Sequence, residues 1–403
     1  MFNAHIVRVD IRLSAPRSEH RYRVSGFGPF SSEPPYIGKD APTCQFQIKT
    51  VLHSDVRKPL QIVFDSCIDG TMPLYDPPPA QDDSRTDIGL VARTRFLLAH
   101  VSDPHMAWRC RVSWRDLIGK RILGYLGWRL RRCAEHREEI LTALREDLAR
   151  IAPDHIAVTG DLTHLGLSQE FENARRWLER LGDPSQVTVV PGNHDAYTGA
   201  DRHRGFVLWQ SYMASDDSHP PERWAGSPNL FPTVRLRGSV LLIGVNTAHP
   251  TPPHLATGTI GNFQLRRLES ILKAAAGRRL FRVILIHHPP LADIVSHRKR
   301  LTDASALQCL IGRYGIEMIL HGHSHKHTHR ILKTASGTTL VAGMPSASAL
   351  GRTPERRARY AIHDIRPVCG GWQVVTTERV YAAVGNYFFT EAHRCMHMAS
   401  SKH

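Results

Sequence analysis

From Thr94 onward the chain alternates short, β-branched apolar runs with amphipathic stretches, and this alternation restricts the fold more than any other feature. The runs are Phe96 to Val101, Ile156 to Thr159, Val187 to Val190, Val240 to Val245, Val283 to Ile286 and Met318 to Leu320. Each is short, and each ends at Gly or polar positions, so each reads as a buried strand. Between them, Glu135 to Arg150, Ser168 to Leu181, Asn262 to Ala275 and Asp303 to Arg313 carry apolar residues at helical spacing, as in Leu141, Leu144, Leu148 and Ile151. This order predicts an α/β layered domain with ligands at the carboxyl ends of its strands. Further on, Arg330 to Thr334, Thr338 to Ala342, Arg359 to Ile365 and Trp372 to Thr377 predict consecutive strands of a second, mostly antiparallel sheet packed on the first.

The flanks differ from this core. Residues 1–93 hold Pro34-Pro35, Pro77-Pro78-Pro79 and Asp82-Asp83 with little periodicity, and are expected to form a weakly ordered extension. Met72 lies shortly before the first motif-bearing strand, which makes it an alternative start and 1–71 upstream sequence. The organised region is expected over 94–382, with a basic amphipathic insertion at 107–133. The tail 383–403, with scattered His and Met, is expected to fray.

Chemistry concentrates where the apolar runs end. In order these segments are Asp103-Pro104-His105, Gly160-Asp161, Gly192-Asn193-His194-Asp195, His287-His288-Pro289-Pro290 and Gly322-His323-Ser324-His325. Taken singly the first is a helix N-cap, the second a turn and the fourth a strand ending in a Pro-blocked loop. The third and fifth are sharper, because Gly permits tight turns that aim consecutive donors inward. Together they supply about seven hard or borderline donors on rigid supports, which is what a two-cation centre needs. Mixed imidazole and carboxylate donors suit Mn, Fe or Zn rather than Ca or Mg.

On these five segments the chain resembles the calcineurin-like metallophosphoesterase superfamily over about Thr94 to Tyr381, in the style of the bacterial branch with class III cyclic-nucleotide phosphodiesterases. The resemblance implies a four-layer α/β/β/α sandwich, two packed mixed sheets flanked by helices. It implies two divalent or trivalent metal ions: Asp103, His105, Asp161 and His325 around the first, and Asp161, Asn193, His287 and His323 around the second. A metal-bridging hydroxide would then attack a phosphodiester or phosphomonoester, the diester being favoured. His194 takes the catalytic histidine position, protonating the leaving alkoxide, and Asp195 is expected to orient its ring, as could His288. Leu162-Thr163-His164 departs from the Asp-Arg-Gly of Ser/Thr protein phosphatases, and His194 from the Arg of lipid A pathway hydrolases. His321, His327 and His329 are expected to be surface or supporting residues; His164, His249 and His254 are read as loop histidines.

Fifty-two Lys plus Arg against 37 Asp plus Glu leave a formal charge of +15, which favours anionic partners such as a small phosphate ester. The charge is spread along the chain, which disfavours dedicated nucleic-acid binding; a nuclease, or a catalytically silent scaffold of the same fold, are the alternatives. Residues 109–132 combine Trp114, Leu117, Ile118, Ile122, Tyr125 and Trp128 with eight basic residues, the pattern of a helix lying on anionic membrane. Gly119, Gly124 and Gly127 lower helix propensity, and since amphipathic segments commonly face a core, a helix packed on the core with a basic face outward is the expectation set above the membrane one. Seven cysteines without a C-x-x-C pair, and the absence of a signal-like or 18-residue apolar segment, point to a cytoplasmic location, with peripheral membrane contact as the variant.

Overall fold

The computed structural model describes residues 95–106, 112, 117, 120–129, 133–198, 205–216 and 231–399, with the backbone of 48–50 and 62–64. The chain divides into two units, Met1–Ile88 and Gly89–His403. In the first, β1 (Ile48–Thr50) pairs antiparallel with β2 (Ile62–Phe64). The alternative start at Met72 and the remainder of the expected extension lie outside the described residues.

The second unit is built on two six-stranded sheets. One runs in the order β14 (Tyr387–Ala399), β13 (Gly371–Ala382), β12 (Arg359–Val368), β3 (Phe96–Val101), β4 (His155–Val158), β5 (Val187–Val189). The other runs β10 (Thr328–Thr334), β11 (Gly337–Gly343), β9 (Met318–His321), β8 (Phe281–Leu285), β7 (Val240–Gly244), β6 (Thr233–Arg237). Both are mixed. β3, β4 and β5 are parallel, as are β7, β8, β9 and β11, and antiparallel strands complete each sheet.

Strand periodicity explains the layering. On β8, Phe281, Val283 and Leu285 join the larger apolar cluster, while Ile284, and Ile286 just beyond the strand, join a second cluster with Leu268 and Leu272 of α4 (Gly261–Ala275) and Leu307 and Ile311 of α5 (Ala304–Tyr314). Opposite faces of one strand thus face the partner sheet and the helices. Phe281 meets Trp372 of β13 edge to face at 5.5 Å, stitching the sheets together. Ile140, Leu144 and Leu148 of α2 (Glu138–Ile151) and Phe171, Ala174 and Leu178 of α3 (Ser168–Leu181) pack into the larger cluster with β3 to β5. The result is the expected four-layer sandwich.

Two expectations need correction. The C-terminal strands do not form a sheet of their own: β10 and β11 extend one sheet and β12 to β14 the other. Each hairpin seeks an open edge beside parallel strands, and pairing of that range is not visible in local pattern. The tail, expected to fray, forms β14 across the whole of β13, from Tyr387 opposite Ala382 to Ala399 opposite Gly371. It is anchored by Phe388 and Met398 in the core, while the residues between are mostly exposed on an edge strand, which hid the alternation. β6 was also hidden, since Arg235 is buried in it and donates to the carbonyls of Ala214, Pro184, Val187 and Ser211.

Candidate metal centre

Five strand ends converge. Asp103 and His105 follow β3, Asp161 follows β4, Asn193 to Asp195 follow β5, His287 and His288 follow β8, and His323 and His325 follow β9. The first three strands are neighbours in one sheet and the last two in the other, so the segments meet where the sheets' carboxyl edges face each other. Asp103, His105, Asp161, His323 and His325 all take left-handed backbone, with φ of 48°, 35°, 57°, 64° and 50°. Such positions cost of order 1–2 kcal/mol for residues with a Cβ and cluster where function demands them. Gly192 and Gly322 give room: a Cβ at the first would strike the Asp161 carboxylate, and at the second Ser102 Oγ and Asp103 Oδ2.

Donor atoms form two groups that share one residue. One atom from each of Asp103, His105, Asp161 and His325 lies within 4.8 Å of the others, and likewise for Asp161, His287 and His323. Asp161 Oδ2 stands 3.8 Å from His105 Nε2 and 3.3 Å from His287 Nε2, while its Oδ1 accepts the His194 backbone N–H at 2.8 Å. His325 Nε2 is 3.4 Å from Asp103 Oδ1, and Asn193 Oδ1 is 3.2 Å from His287 Nε2. All seven residues expected to ligate are therefore gathered.

Backbone carbonyls fix the rings. His105 Nδ1 bonds Thr163 O at 3.0 Å and His287 Nδ1 bonds Thr159 O at 2.7 Å, so each donates there and turns its Nε2 to Asp161, bare in His105. His323 is held the other way, its Nε2 on Lys299 O at 3.0 Å, which frees Nδ1. Asp103 Oδ1, Asp161 Oδ2 and His105 Nε2 are buried without a hydrogen-bond partner. Buried polar atoms are almost always paired, so three orphans converging on one point, with nitrogen and oxygen lone pairs, fit a cation of the Mn, Fe or Zn kind.

Charge follows the same logic. Burial keeps His105, His323 and His325 far below the ordinary imidazole range, hence neutral, as ligation requires. Burial also lifts Asp103 to about 7. Asp161 goes the other way: burial would raise it, but His287 beside it holds the carboxyl well below the usual range. Burial opposes protonation of His287 too, yet Asp161 reverses this and lifts it to about 9. A cation entering the second group would displace that proton.

His194 sits at the rim, half-buried. Its Nδ1 donates to the His164 carbonyl at 2.6 Å and its ring stands edge-on to His105 at 5.1 Å, so Nε2 is the nitrogen turned away from that carbonyl. Asp195 does not orient this ring. Its carboxylate accepts the N–H groups of Asp161, Thr163 and Gly192, each at 2.9 Å, and the Thr163 hydroxyl at 3.0 Å, so it clamps the turns. Three backbone donors already engage both of its oxygens, and the imidazole Nδ1 it was expected to hold sits instead on the His164 carbonyl. His288 is buried on the opposite side, with Nδ1 2.7 Å from Thr247 Oγ1 and its ring 4.3 Å from that of His323.

The other histidines sort as expected, with one addition. His321 is buried with Nε2 on Thr328 Oγ1, His327 pairs with Glu378 at 3.2 Å, and neither these nor His329, His249 and His254 enter a donor group. His164, read as idle, supplies the carbonyl that holds His194, and its ring stacks on His105 at 4.9 Å. Ser346, whose hydroxyl donates to Asp103 O at 2.6 Å, and His136, 4.8 Å from His105, carried no motif signal.

A two-sheet sandwich with a buried Asp/His cluster across its strand ends defines a metal-dependent hydrolase of the phosphoesterase type. The chain belongs to the calcineurin-like phosphoesterase family, whose model matches residues 96–327. It is 23% identical over 239 residues to a probable cyclic nucleotide phosphodiesterase of a Synechococcus strain, covering 56% of this chain and 77% of that protein. It is 25% identical over 199 residues to a 3',5'-cyclic-nucleotide phosphodiesterase of a Nostoc strain, covering 48% of this chain and 64% of the relative. Among solved structures, a dimetal phosphatase from Danio rerio superposes with a TM-score of 0.49 at 12% identity, over 73% of this chain and 98% of that one.

Proposed function

We propose that this protein is a dinuclear metal-dependent phosphodiesterase acting on a small phosphate ester. The observation that carries the reading is Asp161 Oδ2, buried without a hydrogen-bond partner where two donor groups meet, each drawing residues from both sheets. Asp103, His105, Asp161 and His325 would hold one cation, and Asp161, Asn193, His287 and His323 the other, Mn, Fe or Zn by donor type. A cation pair so held makes water nucleophilic at neutral pH and offsets charge on phosphoryl oxygens.

The protein's own contribution lies around that pair. His194, with Nδ1–H fixed on the His164 carbonyl, presents Nε2 from the half-buried rim, where a proton can pass to a departing alkoxide. An alkoxide leaves poorly unless protonated, whichever ester carries it; the diester reading is supported by both curated relatives, which bear cyclic nucleotide phosphodiesterase names. Besides burial and neighbouring histidines, the Lys299 ammonium disfavours protonation of His323 and His325, and this exposed cation adds attraction for a phosphate anion.

The test is a turnover screen of Mn-loaded protein against bis-p-nitrophenyl phosphate, p-nitrophenyl phosphate and cyclic nucleotides, with metal counted per chain. Two ions and a preference for diester are expected. One ion at saturation refutes the dinuclear reading, and monoester preference refutes the diester one.

A further inference from the structure

The helix α1 (Lys120–Gly127) lies beside the candidate centre and is oriented contrary to its expected packing. One side grips the loops that carry His164 and His194. Arg121 donates to the carbonyls of Leu165 at 3.2 Å and Gly166 at 2.9 Å and to Thr198 Oγ1 at 3.4 Å. Gly124 abuts Leu165 and the Tyr197 hydroxyl, and Trp128, stacked on Tyr125 at 5.9 Å, meets His164 edge-on at 6.4 Å. The other side faces outward: Ile122, Leu123 and Leu126 are 48%, 49% and 48% exposed, and Arg129 one turn further is exposed too. Positions i, i+1, i+4 and i+7 fall within one face about 120° wide, so the apolar residues form one ridge rather than scattered points.

We infer that this ridge docks the protein on an anionic phospholipid surface. Three observations select that partner. A half-exposed aliphatic ridge on a pinned helix is the element that sinks into the headgroup and acyl boundary. Besides Arg121, which is engaged inward, residues 109–132 carry seven Lys or Arg against the single Asp116, a composition that complements anionic headgroups and poorly matches a neutral apolar protein groove. The surrounding chain is itself strongly basic, at +15, which attracts an anionic plane before contact is made. Because α1 straps the loops of His164, Tyr197 and Thr198, docking sets the rim of the centre against the membrane plane. No helix among the described residues is long and apolar enough to cross a bilayer, so the contact is peripheral.

The experiment is cosedimentation of the full metal-loaded chain with vesicles of phosphatidylcholine alone and of equal parts phosphatidylcholine and phosphatidylglycerol, at low and high salt. Binding to the mixed vesicles, absent from the neutral ones and weakened by salt, is expected. The combined variant Ile122→Ser, Leu123→Ser, Leu126→Ser should lower the partition coefficient by at least about tenfold while leaving hydrolysis of a soluble chromogenic diester intact. Absence of binding by the wild-type chain, or equal binding by the variant, overturns the inference. A variant that loses dimers in light scattering, with no vesicle binding by either protein, overturns it in favour of a second copy on this face.

Discussion

Behind Asp103 lies a chain of hydrogen bonds whose direction follows from counting protons. A carboxylate only accepts, so Ser102 Oγ donates to Asp103 Oδ2 at 2.5 Å; Ser102 Oγ in turn accepts the Thr159 hydroxyl proton at 2.7 Å; and Thr159 Oγ1, its proton spent, accepts from His100 Nε2 at 3.0 Å. His100 must then be the neutral Nε2–H tautomer with a bare Nδ1. Burial does hold His100 well below the imidazole range, and its Nδ1 has no partner. With the His323 N–H also on Oδ2 at 3.1 Å, that oxygen is fully engaged and only Oδ1 remains to ligate. Thr159→Val keeps the shape and cuts the chain. It strands a buried N–H, costing about 1–3 kcal/mol of stability, and loosens the support of one ligand. Outer-shell losses of this kind cost about 10–100-fold in metal affinity, or roughly 1.4–2.7 kcal/mol. Isothermal titration of Mn into chelator-stripped protein should show one site weakened by that factor and the other within error, with Thr159→Ser near wild type. Equal weakening of both sites, or a Ser variant as damaged as Val, would refute the directional chain.

Four further outcomes are expected. His194→Asn should lower turnover by about 10²–10⁴ with two ions still bound, read by steady-state kinetics beside metal analysis. Gly192→Ala drives a methyl into the shared Asp161 carboxylate, so both sites should weaken together, with about 1–3 kcal/mol lost in denaturant unfolding. Glu378 gives the acid limb: burial alone would raise it, but hydrogen bonds from His327 and Arg394 and the charge of Arg359 hold it at about 2 against an ordinary 4.5. Its native value lies below the unfolded one, so its contribution of up to about 3 kcal/mol is complete above pH 4.5 and drains as pH falls toward 2; Glu378→Gln should flatten that limb of the stability profile. Chelation should lower Tm, since free ion at a thousand times Kd stabilises by about 4 kcal/mol, roughly 10 °C for a domain this large; an unchanged Tm would mean no cation binds the native state.

What the sequence disclosed depended on how local the information was. The Ser168–Leu181 helix was legible to the residue and β3 likewise, because Leu and Ala spacing and a polar stop are contained in the segment. The convergence of the seven candidate donors was legible, since each sits just past a strand, in an order that topology preserves. Ring orientation was not. The carbonyls of Thr159, Thr163, His164 and Lys299 set it, and any residue type could supply a carbonyl. Asp195 misled for the reverse reason: a carboxylate beside a histidine looks like its orienter, but the turn sends its side chain back to three N–H groups.

The left-handed backbone and the orphaned donors have one origin. A strand that ends at the sheet edge must turn at once, and a residue at positive φ throws its side chain across the strand axis instead of along it. The same turn leaves the carbonyls just before or after it unpaired by the ladder, free to accept an imidazole N–H from a neighbouring turn. Asp103 N–H to Gly160 O and His105 N–H to Asp161 O, both at 3.0 Å, lock β3's turn to β4's, so strain in one is held by bonds from the next. Asp161 belongs to both donor groups, and each group also draws on the other sheet, through His325 in one case and His287 and His323 in the other. A bound cation pair would therefore tie the sheets through these strained turns. Asn193, His194 and His325 are half-buried, on the side from which a substrate would approach, while Asp103, His105, Asp161, His287 and His323 are buried.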